Sequence, residues 1–181
     1  MSAFPEASQH QLLMEYGFGF WFSGQWVSIG DSDEVARRLQ VAAETIVTCD
    51  LQTAMRSFSP GSATRCVWIT SLSPGWSHIL ILSGRPPSLE MLSLGDHRVF
   101  ELTYLGEVGE IEPPFYAHDG EVNVDFFSMD EYRPYWDDLA YDPLMPPAEE
   151  LEQYLLIMGR ISGRFLDRDW VSSQGLLCRV P

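Results

Sequence analysis

The chain contains no lysine. Its 11 basic residues are all arginine, set against 26 aspartates and glutamates, for a formal net charge of −15 at pH 7. That balance bears first on what the protein can touch. Phosphate backbones are bound by clustered Lys and Arg that displace counterions. Here the arginines are scattered, the densest groups being Arg37 with Arg38 and Arg160 with Arg164 and Arg168, so no nucleic-acid partner is expected. An anionic membrane surface is disfavoured by the same sign. A basic protein partner is favoured, because complementary fields speed encounter. Acidity also serves solubility by itself, and the missing lysine is most simply a coding bias toward arginine codons.

Other shortages exclude further classes. The three cysteines, Cys49, Cys66 and Cys178, form no CxxC pair, so no zinc site is expected. Their odd number and wide spacing point to reduced thiols in the cytoplasm. The first residues, Met1-Ser2-Ala3-Phe4-Pro5-Glu6, show no basic stretch followed by an apolar one, so no secretory leader is expected. The longest strong apolar run, Ile79-Leu80-Ile81-Leu82, is strand-sized, far below the ~18 residues of a membrane helix. No phosphate-binding glycine loop, GxSxG or HExxH is present, so no cofactor and no catalytic residue are assigned. Asp119, Glu121, Asn123 and Asp125 offer oxygen ligands at alternate positions. Along a strand these spread by ~6.6–6.8 Å per step and cannot wrap an ion, so no metal site is assigned either. His78 lies in an apolar strand and is read as a satisfied core or sheet-surface histidine. His118 is read as a hairpin-turn residue.

What the chain does have is enough apolar material for a core. Its 181 residues are 45% hydrophobic and 13% aromatic and fit a single domain, 1–181, with its core at about 15–172. Residues 7–16 read as a short helix, and Phe18 to Phe22 as a strand. Asp31 caps a helix over 32–43, with Glu34 three residues on and Val35, Leu39 and Ile46 at helical spacing. Asp50 caps a second helix near 50–58, broken by Ser59-Pro60-Gly61-Ser62. Strands follow at Cys66 to Thr70, Trp76 to Leu82 and Arg98 to Leu105, with a short helix between Pro86 and Leu94. Asp119-Gly120 predicts a type I′ hairpin between Phe115-Tyr116-Ala117 and a strand from Glu121 to Phe127. On that second arm Val122, Val124 and Phe126 face one way, and Glu121, Asn123 and Asp125 the other. Residues 130–147 read as a long ordered loop. Pro147 opens a helix over 148–162 with acids in its first turn and Gly163 as its stop, and Asp167 caps a last turn bearing Trp170. Helices, then adjacent strands, then a helix predict α+β: a mostly antiparallel sheet of about five to six strands packed by two main helices.

The early strand, the capped helix at 31–39, Trp68-Ile69, Pro74-Gly75-Trp76-Ser77-His78, Ser93-Leu94-Gly95, the Asp119-Gly120-Glu121 hairpin and the closing Arg160-Ile161-Ser162-Gly163 together resemble a family of small bacterial α+β proteins of unknown function, common in high-GC bacteria. The resemblance covers residues 15–172 and implies a cytoplasmic domain of the kind associated with toxin–immunity or conflict systems. It carries no catalytic residues.

The densest chemistry is acidic and aromatic. Eleven carboxylates fall within the 36 residues from Glu107 to Asp142. They include Glu121, Asp125, Asp137, Asp138 and Asp142, and overlap Tyr132-Arg133-Pro134-Tyr135-Trp136 and Tyr141. Tyr, Trp and Arg dominate binding hot spots. The expected partner-binding surface is therefore Glu121, Asp125, Tyr132, Arg133, Tyr135, Trp136, Asp137, Asp138, Tyr141 and Asp142, docking a basic protein. The bland alternative is a solvated acidic face with the rings packed onto the sheet. Two further classes stay open: a subunit of a larger assembly, and an enzyme or small-molecule binder with an aromatic-lined cleft joining His78 or His118 to a carboxylate.

Overall fold

The computed structural model describes residues 4–58, 64–123, 125–140 and 142–181. The predicted break at Ser59-Pro60-Gly61-Ser62 lies outside these residues. The strands are β1 (Trp21–Val27), β2 (Val47–Cys49), β3 (Arg65–Ser73), β4 (Trp76–Ser83), β5 (Arg98–Leu105), β6 (Glu110–Ile111), β7 (Phe115–His118), β8 (Glu121–Asn123) and β9 (Gly175–Val180). They form one sheet in the order β2-β9-β3-β4-β1-β5-β7-β8, with β6 on β5, and every pairing is antiparallel. The fold is thus α+β, but the sheet has nine strands among the described residues rather than five to six. β2 and β6 span three and two residues, too few to show an alternating pattern. β9 comes from beyond the expected core limit of 172. It inserts between β2 and β3 and pairs Val67 with Cys178 and Trp68 with Leu177.

Both faces of the sheet are covered. Along β3, Cys66, Trp68 and Leu72 enter one apolar cluster, while Val67 and Ile69 enter the other. The same alternation divides Leu80 and Leu82 from Ile79 and Ile81 on β4. The first cluster is closed by α1 (Gln9–Glu15), α3 (Leu51–Arg56), α5 (Pro147–Ser162) and α6 (Arg168–Ser172); the second by α2 (Ser32–Arg38) and α4 (Leu89–Ser93). Two-sided burial explains why β4 is buried at every interior position, a pattern more usual for parallel strands.

Capping sets the helix ends. Asp31 accepts from the Asp33 amide at 3.0 Å, and Asp50 from the Thr53 amide at 2.8 Å. Glu34 does not complete a capping box. It pairs with Arg37 and Arg38, which hold its carboxyl below the usual range. The predicted helix over 32–43 stops at Arg38, because Gln40 takes φ 57° and the Val41 amide turns back to the Ala36 carbonyl at 3.1 Å. This is a Schellman ending built without glycine.

Candidate functional site

The acidic segment starts at the β7–β8 hairpin. Asp119 and Gly120 have φ of 47° and 85°, as the type I′ turn requires. The turn is anchored to the exit of α4. The Gly95 amide donates to Asp119 Oδ1 at 3.1 Å, and the Gly120 amide to Ser93 Oγ at 2.9 Å. β8 then ends at Asn123, whose side chain accepts from the Asp125 amide at 2.9 Å. The expected strand to Phe127 is therefore cut short. Val124 lies outside the described residues, and Val122, expected on the buried side, is 40% exposed at the sheet edge. Phe126 is buried, from a 3₁₀ turn (Phe126–Ser128) rather than from a strand.

The predicted loop opens with a second 3₁₀ segment, Asp130–Tyr135, and Tyr132, Tyr135 and Trp136 turn inward. Tyr132 is 3% exposed and packs at 5.2–5.4 Å, ring centre to ring centre, on Phe100, Tyr116 and Phe126. Its hydroxyl donates to that of Tyr116 at 3.2 Å, and burial drives both phenols above their usual range. Trp136 lies 5.0 Å from Phe126, and Tyr135 and Trp136 both pack on the core cluster. Tyr132 is thus a core residue rather than a partner contact, and Tyr135 and Trp136 are half-buried. Tyr141 lies outside the described residues. The physical reason is area: rings this large gain more from the open end of the sheet than from solvent.

Besides Asp119, which is tied to its turn, the charges divide into paired and unpaired groups, and Arg98 lies 3.9 Å from Glu131. Arg133 binds Asp137 at 2.9 Å. Arg160, its side chain 5% exposed, fastens Asp138 through both guanidinium nitrogens at 2.7 and 3.2 Å and also donates to the Tyr135 carbonyl. Asp138 therefore fastens the segment onto α5, while Asp137 braces it from within. By contrast, Glu107, Glu110, Glu112, Glu121, Asp125, Asp130 and Asp142 are exposed and form no contact ion pair among the described residues. Beside them stand two exposed apolar residues absent from the sequence-derived set. Phe127 is 37% exposed, resting on Trp136 and Tyr154, and Leu144 is 89% exposed. Adjacent Phe126-Phe127 could have signalled that one of the two rings must face out of a tight turn.

No cleft joins His78 to a carboxylate. His78 is fully buried between Trp26 and Trp170, with ring centres 4.6 and 5.2 Å away, and neither ring nitrogen has a partner. It is not the satisfied histidine its strand position implied. His118 pairs with Asp96 at 2.7 Å on the surface. The three thiols are free and buried, and burial raises each above its usual range, Cys178 to about 12. No group of three or more His, Cys, Asp or Glu among the described residues could hold a metal ion, and none of the helices is long and apolar enough to cross a membrane. Comparison with protein-family models, with curated proteins and with solved structures returns no match.

Proposed function

We propose that this chain is a non-enzymatic protein-binding module of the cytoplasm, using an acidic surface to engage a basic protein partner in the manner of an immunity-like or conflict-system protein. One observation carries the reading. In a chain of net charge −15, the eleven carboxylates from Glu107 to Asp142 divide into Glu131, Asp137 and Asp138 paired with arginine, Asp119 tied to its own turn, and seven exposed ones that form no contact ion pair among the described residues. Those seven, with Phe127 and Leu144 among them, form the docking surface. Asp137 and Asp138 hold that surface in shape, so the contact set shifts from the aromatic segment to its acidic flanks. Uncompensated carboxylates of one sign act on association rate before they act on affinity. The immunity-like role is supported by the family resemblance alone.

The test is capture from source-organism lysate at low salt, followed by association kinetics with the purified partner. A basic protein should be retained and then released by salt. Replacing Glu121, Asp125, Asp130 and Asp142 together by their amides should slow its association about tenfold or more and flatten the salt dependence. An unchanged on-rate overturns the reading.

A second reading, a subunit of a larger assembly, is favoured by one observation. Met14, Phe20 and Val108 are 54, 70 and 65% exposed, and Met14 packs beside Gly19 while the Glu107 amide bonds the Phe20 carbonyl. A fixed oligomer of the isolated chain in light scattering would move the weight there.

A further inference from the structure

The chain is acidic, yet four of its arginines are left over. Arg56, Arg65, Arg85 and Arg179 form no ion pair and no side-chain hydrogen bond among the described residues, although 26 carboxylates are available. Of these, Arg65 and Arg179 lie on neighbouring strands but on opposite faces of the sheet. Arg65 opens β3 opposite Val180, and Arg179 on β9 lies opposite Cys66. Cys66 in turn faces Ser83 on β4, and Gly84 packs directly on Arg65, with Arg85 next in the chain. Arg56 closes α3 immediately before Ser57 and Phe58.

A cavity of about 500 Å³ opens at Arg179. Among the described residues Arg179 is the only charged one lining it, and no carboxylate lines it; the nearest in sequence is Glu44, beside the lining residue Thr45. Three of its hydroxyls have already committed their protons. Thr45 Oγ1 donates to the Ala42 carbonyl at 2.7 Å, Ser57 Oγ to the Thr53 carbonyl at 2.7 Å, and Ser83 Oγ to the Thr64 carbonyl at 2.8 Å. Each can now only accept. The lining therefore pairs one guanidinium fork, suited to a carboxylate or phosphate, with a set of acceptors suited to hydroxyl or amino donors. Phe58 supplies an apolar wall, and the volume falls in the range of roughly 300–1,000 Å³ usual for small-ligand sites. The larger cavity, about 740 Å³ beside α1 and α6, lacks this chemistry, because its arginines Arg164 and Arg168 are paired to Asp167 and Glu15.

We infer that this cavity binds a small hydroxylated oxyanion, a phosphate ester or carboxylate of a polyol. Arg179 clamps the anionic group, and Thr45, Ser57 and Ser83 accept from the hydroxyls.

The test is calorimetric titration of the full chain with glucose 6-phosphate, gluconate and uncharged glucose, in the wild type and in Arg179→Ala, Arg179→Lys and Arg37→Ala. Glucose 6-phosphate or gluconate should bind, and which of the two does identifies the anion. Glucose should not bind. Arg179→Ala should weaken the bound anion about tenfold or more, the usual effect of losing a charge-assisted contact. Arg179→Lys, which keeps the charge and loses the fork, should fall between. Arg37→Ala, on α2 against the opposite face of the sheet, should bind as the wild type does. No binding by either anion, or equal binding by the wild type and both Arg179 variants, overturns the assignment.

Discussion

Acidification should destabilise this protein through His78 before its carboxylates titrate. The imidazole is wholly buried between Trp26 and Trp170, and both ring nitrogens lack partners. The contact is close on the β1 side as well, where a Cβ at Gly24 would stand 2.8 Å from Nε2. Desolvation pushes the imidazole down from 6.5 to about 3. The folded state therefore holds this histidine neutral where the unfolded chain would protonate it. Below pH 6.5 the unfolded state binds the extra proton, so stability falls as pH falls, from 6.5 down to about 3. Each pH unit in that window costs about 1.4 kcal/mol, so a drop to pH 5 costs about 2 kcal/mol. The assay is urea unfolding at pH 7 and pH 5 for the wild type and His78→Phe. Phenylalanine carries no proton to gain, and every other titrating group is common to both proteins. Any constant offset from repacking or from removing two unpartnered nitrogens also cancels in the difference between pH values. The wild type should lose about 2 kcal/mol more than the variant over that interval. Equal losses would refute the claim that His78 is buried as a neutral base.

Two further expectations concern packing and capping. A Cβ at Gly175 would meet Trp68 at 2.6 Å and Thr70 at 2.7 Å, and the Trp68 indole is held by its bond to the Cys49 carbonyl at 3.0 Å. Gly175→Ala should therefore cost about 1–3 kcal/mol in chemical denaturation, and a neutral result would show that the indole can move. Asp167 Oδ1 accepts from the Trp170 amide at 2.6 Å and so caps α6. Asp167→Ala should cost about 1 kcal/mol while Asp167→Asn stays near the wild type, and equal losses in the two variants would count against a capping role.

Local signals translated well into local structure. Asp31, Asp50 and Asp167 each cap the helix they were expected to cap, and β5 spans Arg98–Leu105 as its pattern indicated. Asp119-Gly120 forms the expected turn. Each of these depends on a few neighbouring residues whose hydrogen bonds or φ preferences act at short range. The misses have a different character. Gln40 ended α2 early because a left-handed residue there lets the chain leave toward its next contact, which periodicity does not encode. Val122 carried an inward-facing position in the alternation, but its strand lies at the edge, where little covers it. Tyr132 looked like a surface anchor in a polar, proline-bearing stretch, and only the open end of the first core cluster shows what drew it in.

The amino-acid order by itself determined the caps, the hairpin turn, the alternating halves of β3 and β4 and the acidic balance, because each follows from composition or from contacts a few residues apart. The tertiary structure decided which face each half would find and that β9 would insert between β2 and β3. It also decided that Asp138 would be held by Arg160 of α5, and that Arg179 would line a cavity with Thr45, Ser57 and Ser83. Those outcomes rest on pairings between residues far apart in the chain. A side-chain period tells which residues face the same way, but it carries no record of what will be packed against them.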